Sequence, residues 1–216
     1  MTEKFETELI SLRKETLEMS ELARGMMADA IRALVDQDLA IARSVTARKA
    51  ELRDRLHRVE DHAYEILTLY QPFARDLRTV VSCLKVAAAL ERIGRYGKDI
   101  ATVVGYLSGT APLSGHLSIP HMARSAEAMI VDALAAFEAG DLKRIEDFSA
   151  RDDQVDALGY SIFRECVTYM LEDPTTITRC ANYVMVARYL ERSADHACTI
   201  AEATVFMITG ERVEIK

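Results

Sequence analysis

Asp29-Ala-Ile-Arg-Ala-Leu-Val-Asp-Gln-Asp-Leu39 has a counterpart in Asp132-Ala-Leu-Ala-Ala-Phe-Glu-Ala-Gly-Asp-Leu142, at an offset of 103 residues. Each stretch has the apolar spacing of a helix and then an acid that can cap the next helix. Further matches, such as Leu90-Glu-Arg92 with Leu190-Glu-Arg192, occur at an offset of 100. The offset changes at a proline-containing turn, where length can vary without disturbing helix packing. The sequence therefore predicts an internal duplication.

Composition and periodicity together predict an all-α fold. Only nine Gly and four Pro occur among 216 residues, so few turns are expected, and no long stretch alternates as a strand does. The predicted helices span 4–35, 38–69, 73–108, 119–139 and 141–172, with a last helix that follows Pro174 and ends near residue 208. The Gly- and Pro-containing stretch Gly109–His116 separates them into predicted repeats 1–109 and 117–216. The expected architecture is two tandem three-helix bundles.

Charge and segment composition exclude several classes of protein. The net charge of -7 and the interleaving of bases with acids argue against a nucleic-acid surface. The amphipathic, acidic start lacks the features of a secretory signal, and no window of about 18 apolar residues is free of charge. A cytoplasmic protein without direct membrane insertion is expected, which leaves a peripheral position on a transporter open. Four cysteines without metal-site spacing are expected to be reduced core thiols: Cys83, Cys166, Cys180 and Cys198.

Two acid pairs in the second repeat carry the most chemical information. Asp152 and Asp156 lie four residues apart, as do Glu191 and Asp195, so each pair points from one face of a helix. Side by side, the two helices would bring four carboxylates together, and carboxylate oxygens suit hard cations such as Mg, Mn or Fe. Glu191 also falls within an apolar stripe, where an acid is seldom left without a partner. A cation site is therefore one hypothesis for these acids.

Two other readings of these acids stay open. Acid pairs at this spacing are common on ordinary helices, where both members are solvated. Glu191 also has two arginines close to it in sequence, Arg188 and Arg192, and either one would neutralise it without a metal. Spacing alone does not choose between a metal, an arginine and water.

Three segments resemble the PhoU family of phosphate-uptake regulators. They are Gln71-Pro-Phe-Ala-Arg-Asp-Leu-Arg78, Leu84-Lys-Val-Ala-Ala-Ala-Leu-Glu-Arg-Ile-Gly94 and Tyr189-Leu-Glu-Arg-Ser-Ala-Asp-His-Ala197. The resemblance covers nearly the whole chain and implies a pair of three-helix bundles. It further implies negative regulation of phosphate uptake or signalling, with a phosphate transporter (its ATPase subunit or a permease) and a sensor histidine kinase as partners, and a homodimer.

The resemblance also implies metal clusters at acid-x-x-x-Asp motifs, as some members have. Carried over by position, the metal ligands in the second repeat are Asp152, Asp156, Glu191 and Asp195. Thr199 stands where the family commonly has Asn, a departure that puts its contribution in doubt.

The corresponding site of the first repeat is degenerate. Three bases replace three of the acids: Lys49, Arg53 and Arg95. Only Glu91 and its neighbour Asp99 stay negative, so we expect no metal here and expect some of the three bases to pair with these two acids.

Two alternatives to a non-catalytic regulator stay open. A carboxylate-bridged metal bundle, used for storage or as a redox enzyme, also places acids on facing helices, but it normally adds Glu-x-x-His, which this sequence lacks. A metal-free helical interaction protein would leave the acids solvated or paired with arginine. Hydrolase chemistry has little support, because Ser193 and His196 lack a Gly-rich elbow or an oxyanion-type turn.

Overall fold

A computed structural model describes residues 3–109 and 118–215, and helices make up nearly all of them. The α-helices are α1 (Glu3–Asp36), α2 (Leu39–Ala47), α3 (Lys49–Tyr70), α4 (Arg75–Leu107), α5 (Ile119–Ala139), α6 (Phe148–Glu172) and α7 (Ile177–Thr209). Short 3-10 turns at Leu142–Ile145 and Pro174–Thr176 precede α6 and α7. The described part contains no strand and no helix long and apolar enough to cross a membrane. The all-α prediction is confirmed.

Most helix bounds agree with the predicted ones, but two predicted helices are wrong in extent. The span 38–69 is broken at Arg48 into α2 and α3, and the span 141–172 begins as a 3-10 turn before α6 starts at Phe148. Val45 and Leu52 are both buried and lie seven residues apart, on one helical face. The apolar pattern therefore continues across Arg48 and gives no indication that the helix is broken there. The predicted boundary stretch lies almost wholly outside the described residues.

The first turn of each repeat has the same construction. Gln37 (φ 53°) and Gly140 (φ 70°) hold the left-handed conformation that ends α1 and α5. Next to them, the Asp38 carboxylate accepts the N–H of Ala40 at 2.7 Å, and the Asp141 carboxylate accepts the N–H of Lys143 at 3.2 Å. Both are capping interactions that satisfy helix-end donors. The duplicated corner is thus duplicated in structure as well as in sequence.

A matching ion pair ties together the helices of each repeat. Arg48 donates from Nη2 to Asp29 Oδ2 at 2.5 Å, and Arg151 donates from Nη1 to Asp132 Oδ2 at 2.9 Å. Both arginines and both aspartates are related by the offset of 103. The pairs are partly shielded from solvent, and they anchor α3 to α1 and α6 to α5.

The two repeats meet along α4 and α7, which run antiparallel. Ser82 Oγ donates to the Ala203 carbonyl at 2.9 Å, and the rings of Tyr96 and Tyr189 stack with centroids 5.8 Å apart. As residue numbers rise on one helix, they fall on the other. Arg13 of α1 adds a second link by donating to the Phe137 carbonyl of α5 at 2.8 Å. The bundles therefore form one body around a central helix pair.

The helices α4 and α1 of the first repeat come into close contact at Gly97. A Cβ added at Gly97 of α4 would lie 2.9 Å from the Met26 carbonyl carbon of α1. The equivalent position in α7 is Ala197, which is fully buried and carries a methyl group. The closest contact of α4 with α1 thus depends on the missing side chain of Gly97.

Exposed apolar side chains collect where α3 turns into α4 and where α6 turns into α7. At the first corner, Leu69 is 62% and Phe73 is 79% exposed; at the second, Leu171 is 80% and Ile177 is 49% exposed. We call these the α3–α4 corner and the α6–α7 corner. Because α4 and α7 are antiparallel, the two corners lie at opposite ends of the central helix pair. All four cysteines are buried free thiols, as expected: Cys83, Cys166, Cys180 and Cys198.

Candidate metal-binding site

The four predicted ligands of the second repeat lie on two packed helices, with Asp152 and Asp156 on α6 and Glu191 and Asp195 on α7. The pKa of Asp152 is raised to about 6, first by burial and then by the charges of Asp156 and Asp195. Carboxylates perturb one another to this degree only when they are close together. The structure thus brings acids from both helices into one group, called here the α6–α7 acid group.

The other members of the group are also perturbed. Burial raises the pKa of Asp156, and Asp195 adds to the shift. Burial raises the pKa of Glu191 as well, whereas Arg188 opposes the shift. Arg188 forms an ion pair with Glu191, which is the arginine pairing left open from the sequence. Because two arginines, Arg188 and Arg192, act on a group of four acids, negative charge is in excess.

Asp152 is the least satisfied member of the group. Its Oδ1 atom is buried and has no hydrogen-bond partner. The Cys198 thiol of α7 lies within hydrogen-bonding reach of the same carboxylate. Burial raises the pKa of Cys198 to about 12, and the charge of Asp152 comes next among the causes, so the thiol stays protonated. A buried carboxylate oxygen without a partner is costly, and a cation would satisfy it.

The side chains as placed do not form a complete metal cage. Across residues 3–109 and 118–215, no three acid, histidine or cysteine side chains converge closely enough to hold an ion. Glu191 is turned toward Arg188, and its Oε2 lies 3.8 Å from where a Cβ at Gly159 would be. The donor chemistry and the unpartnered Asp152 oxygen fit a hard cation, whereas Glu191 is held by an arginine.

The first repeat replaces this acid group with bases. Glu91, whose side chain is 17% exposed, lies 3.5 Å from Arg95 Nη1 and 3.9 Å from Arg92 Nε. Asp99 pairs at 3.0 Å with Lys98, which follows Arg95 by one helical turn. Arg95 thus pairs with Glu91, as expected. Asp99 pairs with Lys98, which is not one of the three bases expected to do so.

Lys49 and Arg53 are not brought to these acids. Both side chains are exposed on α3, and neither forms an ion pair with a residue of the described ranges. Thr199, at the position where the family commonly has Asn, donates its hydroxyl to the Asp195 carbonyl at 3.2 Å within its own helix. The hydroxyl hydrogen of Thr199 is therefore engaged within α7.

Sequence reasoning missed another group of acids, between α1 and α3. The partly buried ring of His62 lies between Glu8 and Glu15, with Nε2 at 3.1 Å from Glu8 Oε2 and Nδ1 at 3.1 Å from Glu15 Oε2. Glu8 and Glu15 are seven residues apart and so share a helical face, which was the signal available. This contact joins two helices of the first repeat.

Comparison with known proteins identifies the family of this chain. The PhoU domain matches residues 16–104 and again residues 119–204. This chain belongs to the PhoU family. Each match covers one repeat, so the duplication inferred from the sequence coincides with two PhoU domains.

Two relatives and two crystal structures show how far the similarity extends. A Rhizobium meliloti protein named phosphate-specific transport system accessory protein PhoU homolog is 36% identical over 95% of this chain and 87% of its own length. The Caulobacter vibrioides protein of that name is 37% identical over 95% of this chain and 90% of its own length. PhoU from Pseudomonas aeruginosa superposes with a TM-score of 0.90 at 32% identity, covering 96% of this chain and all of the other. The phosphate transport system regulatory protein PhoU from Streptococcus pneumoniae superposes with a TM-score of 0.90 at 26% identity, covering 97% of this chain and 99% of the other.

Proposed function

We propose that this PhoU chain is a non-catalytic accessory protein of a phosphate transport system, acting in the cytoplasm to restrain phosphate uptake or phosphate signalling. The observation that carries the proposal is the likeness, along nearly the whole chain, to proteins named as accessory to phosphate-specific transport. Because both PhoU domains and the connection of their helices are retained, the likeness concerns the complete architecture rather than a shared motif.

The side chains support a role in binding rather than in catalysis. Ser193 Oγ donates to the Tyr189 carbonyl of its own helix at 2.7 Å, and the His196 ring stacks on Tyr96 with centroids 5.9 Å apart. The two are therefore not arranged as a nucleophile and its base, which need a mutual hydrogen bond. A redox or storage bundle would need histidine ligands beside its acids, and the α6–α7 acid group has none.

The proposed partners are the ATPase subunit or permease of a phosphate transporter and a sensor histidine kinase, contacted through helical surfaces. The α3–α4 and α6–α7 corners present the large apolar side chains that protein contacts commonly bury. Aspartate at the most exposed of these positions would place a charge in such a contact. Homodimer formation stays a prediction from the family resemblance.

The test is phosphate uptake in cells that lack the gene. At high external phosphate, deletion is expected to raise the initial rate of labelled phosphate uptake, and the wild-type gene is expected to restore it. A Phe73→Asp/Leu171→Asp variant should fail to restore it, whereas Val131→Asp/Tyr160→Asp, at exposed positions in the middle of α5 and α6, should succeed. An unchanged rate after deletion would contradict the proposal.

We also propose that the second repeat holds an Fe, Mn or Mg ion through Asp152, Asp156 and Asp195, and through Glu191 once that side chain leaves Arg188. A bound cation would neutralise the excess of carboxylates and lower their raised pKa values. Elemental analysis of gently purified protein should find the ion at a stoichiometric level. The ion should disappear in an Asp152→Ala/Asp195→Ala variant, and metal retained by that variant would move the site elsewhere.

A further inference from the structure

A groove of about 520 Å³ lies between α4 and α7, away from the α6–α7 acid group. Lys85 and Arg92 line it from α4, His196 and Thr199 from α7, and Arg212 from the segment that follows α7. A volume of this size is typical of small-molecule sites. Neither the metal proposal nor the corner surfaces use these side chains.

The chain after α7 is fixed so that Arg212 joins the groove. Gly210 takes a left-handed conformation (φ 83°) and donates its N–H to the Phe206 carbonyl at 3.0 Å, which ends the helix and reverses the chain. The N–H of Ile215 then donates to the Glu202 carboxylate at 2.9 Å. These two hydrogen bonds, on either side of Arg212, hold the segment against α7.

Two cations of the groove lie over one aromatic ring. Lys85 Nζ is 5.7 Å and Arg212 Cζ is 5.8 Å from the centroid of Phe206. Arg92 is seven residues after Lys85, so it lies about 10 Å further along the axis of α4 at 1.5 Å per residue. The groove is therefore a row of positive charge about 10 Å long beside an apolar floor of alanines and Phe206.

The groove is lined by more bases than acids, and of these bases Arg92 also lies 3.9 Å from Glu91. Among the described residues that line it, Glu202 is the one acid, and its carboxylate accepts the Ile215 N–H. Such a concentration of cations in a chain of net charge -7 attracts a negative ligand.

The duplication itself does not explain this row of cations. In the other repeat, Met185 occupies the position equivalent to Lys85, and Asp99 occupies the position equivalent to Thr199. The repeats therefore share the α4–α7 contact, but only the side lined by Lys85 and Arg212 has gained a basic groove.

We propose that this groove binds a small anion that carries two or more linked phosphate groups. A row about 10 Å long exceeds what one phosphate contacts at once, whereas a chain of phosphates reaches from Lys85 and Arg212 to Arg92. Guanidinium and ammonium groups are the usual partners of phosphate oxygens. The apolar floor leaves room for an attached organic group, so both an inorganic polyphosphate and a nucleoside triphosphate have the required chemistry.

The experiment is isothermal titration of the metal-free, full-length chain with inorganic phosphate, tripolyphosphate and ATP, in a buffer free of phosphate and sulfate. We expect tripolyphosphate to bind at least about tenfold more tightly than phosphate, because it contacts more cations. ATP binding at least about tenfold tighter than tripolyphosphate would identify a nucleotide as the ligand, and equal affinities would identify the phosphate chain alone.

A charge-matched pair of variants decides whether the groove is responsible. Lys85→Ala/Arg212→Ala should weaken tripolyphosphate binding by at least about tenfold. Lys49→Ala/Arg53→Ala removes the same charge from exposed positions on α3 and should leave the affinity unchanged. Circular dichroism would verify that both variants are folded. Equal losses in the two variants, no binding by the wild type, or phosphate binding as tight as tripolyphosphate would each overturn the proposal.

Discussion

The two repeats share a scaffold, yet the space between their acid-bearing helices is filled differently. In the second repeat, acids of α6 and α7 gather around the partly buried Asp152, and Arg188 opposes them through an ion pair with Glu191. In the first, Glu91 lies between Arg92 and Arg95, and Asp99 lies beside Lys98. Charge balance in the first repeat comes from the chain itself. The second repeat has an excess of negative charge that an added cation would correct.

The repeats also differ at the position of Gly97. Gly97 lets α4 lie against the backbone of Met26, whereas its counterpart Ala197 keeps a methyl group in the core. The contact of α1 with α4 therefore leaves no room for a side chain at this position.

The largest expected effect tests that contact. Gly97→Val should destabilise the fold by about 3 kcal/mol, because the new side chain meets backbone atoms of Met26 that cannot rotate away. Urea unfolding measures the change. Gly105→Val on the same helix is the control: a Cβ there meets nothing within 4 Å, so the cost should stay below about 1 kcal/mol. Equal costs would show that the contact with Met26 is not what destabilises the fold.

The second prediction restores acids to the first repeat. Lys49→Asp/Arg53→Asp/Arg95→Asp should create a second cation site, so that Mn²⁺ binding rises from one site to two. At a free Mn²⁺ concentration 100 times the dissociation constant, the added site should stabilise the fold by about 2.7 kcal/mol. Elemental analysis and thermal unfolding with and without Mn²⁺ provide the readouts.

The control for that design changes equal charge elsewhere. Arg43→Asp/Arg58→Asp/Lys143→Asp alters three exposed bases outside the degenerate site. It should leave the number of bound ions at one. If both triple variants gain an ion, added negative charge alone binds the metal, and the positional equivalence of the repeats is not the reason.

The third prediction concerns pH. The pKa of Asp152 is about 6 in the metal-free fold, above its ordinary value of 3.8. The folded state therefore binds more protons than the unfolded chain between these values, so this group destabilises the fold as pH rises through 6. Asp152→Asn should stabilise the metal-free protein at pH 8 by about 1 kcal/mol, a figure reduced for solvent screening of a partly exposed group.

The pH dependence separates this effect from a simple change in packing. The difference in unfolding free energy between Asp152→Asn and wild type should shrink as pH falls from 8 through 6 toward 4, because wild-type Asp152 becomes neutral. Urea unfolding at intervals of pH, with chelator present, measures it. A difference that stays constant across this range would contradict the raised pKa.

The smallest expected effect compares the matched ion pairs. Arg48→Ala and Arg151→Ala each remove one partner of a partly shielded pair, at a cost of about 1 kcal/mol. Arg151 also lies over the Phe148 ring at 5.0 Å, so its removal should cost about 0.5 kcal/mol more. Chemical unfolding of both variants tests the order, which an equal or reversed ranking would contradict.

The sequence predicted the long helices because their apolar periodicity and their end signals agree. It missed the break at Arg48 because Val45 and Leu52 continue one buried face across it. It missed the 3-10 start after Asp141 because the capping acid there is the same as in the first repeat. The apolar pattern shows which face of a helix is buried. It does not show whether the helix is interrupted between two buried residues.

The candidate site was only partly predictable, for a different reason. The four-residue spacing of the acids was sufficient to find Asp152, Asp156, Glu191 and Asp195, since it fixes their helical face. The contact of Cys198 with Asp152 joins two helices, and its distance depends on how α6 and α7 pack. Lys98 pairs with its neighbour Asp99 within α4, whereas the expected bases Lys49 and Arg53 lie on α3, where the packing of α3 on α4 decides whether they reach Asp99.

The antiparallel arrangement of α4 and α7 sets the reach of the molecule. Each helix has 33 residues. At 1.5 Å per residue, each is therefore about 50 Å long. The α3–α4 corner stands at one end of this length and the α6–α7 corner at the other. One small domain cannot touch both corners, whereas two separate domains can occupy them together without colliding. The length of the central helix pair would thus set the distance between the two partners proposed for these corners.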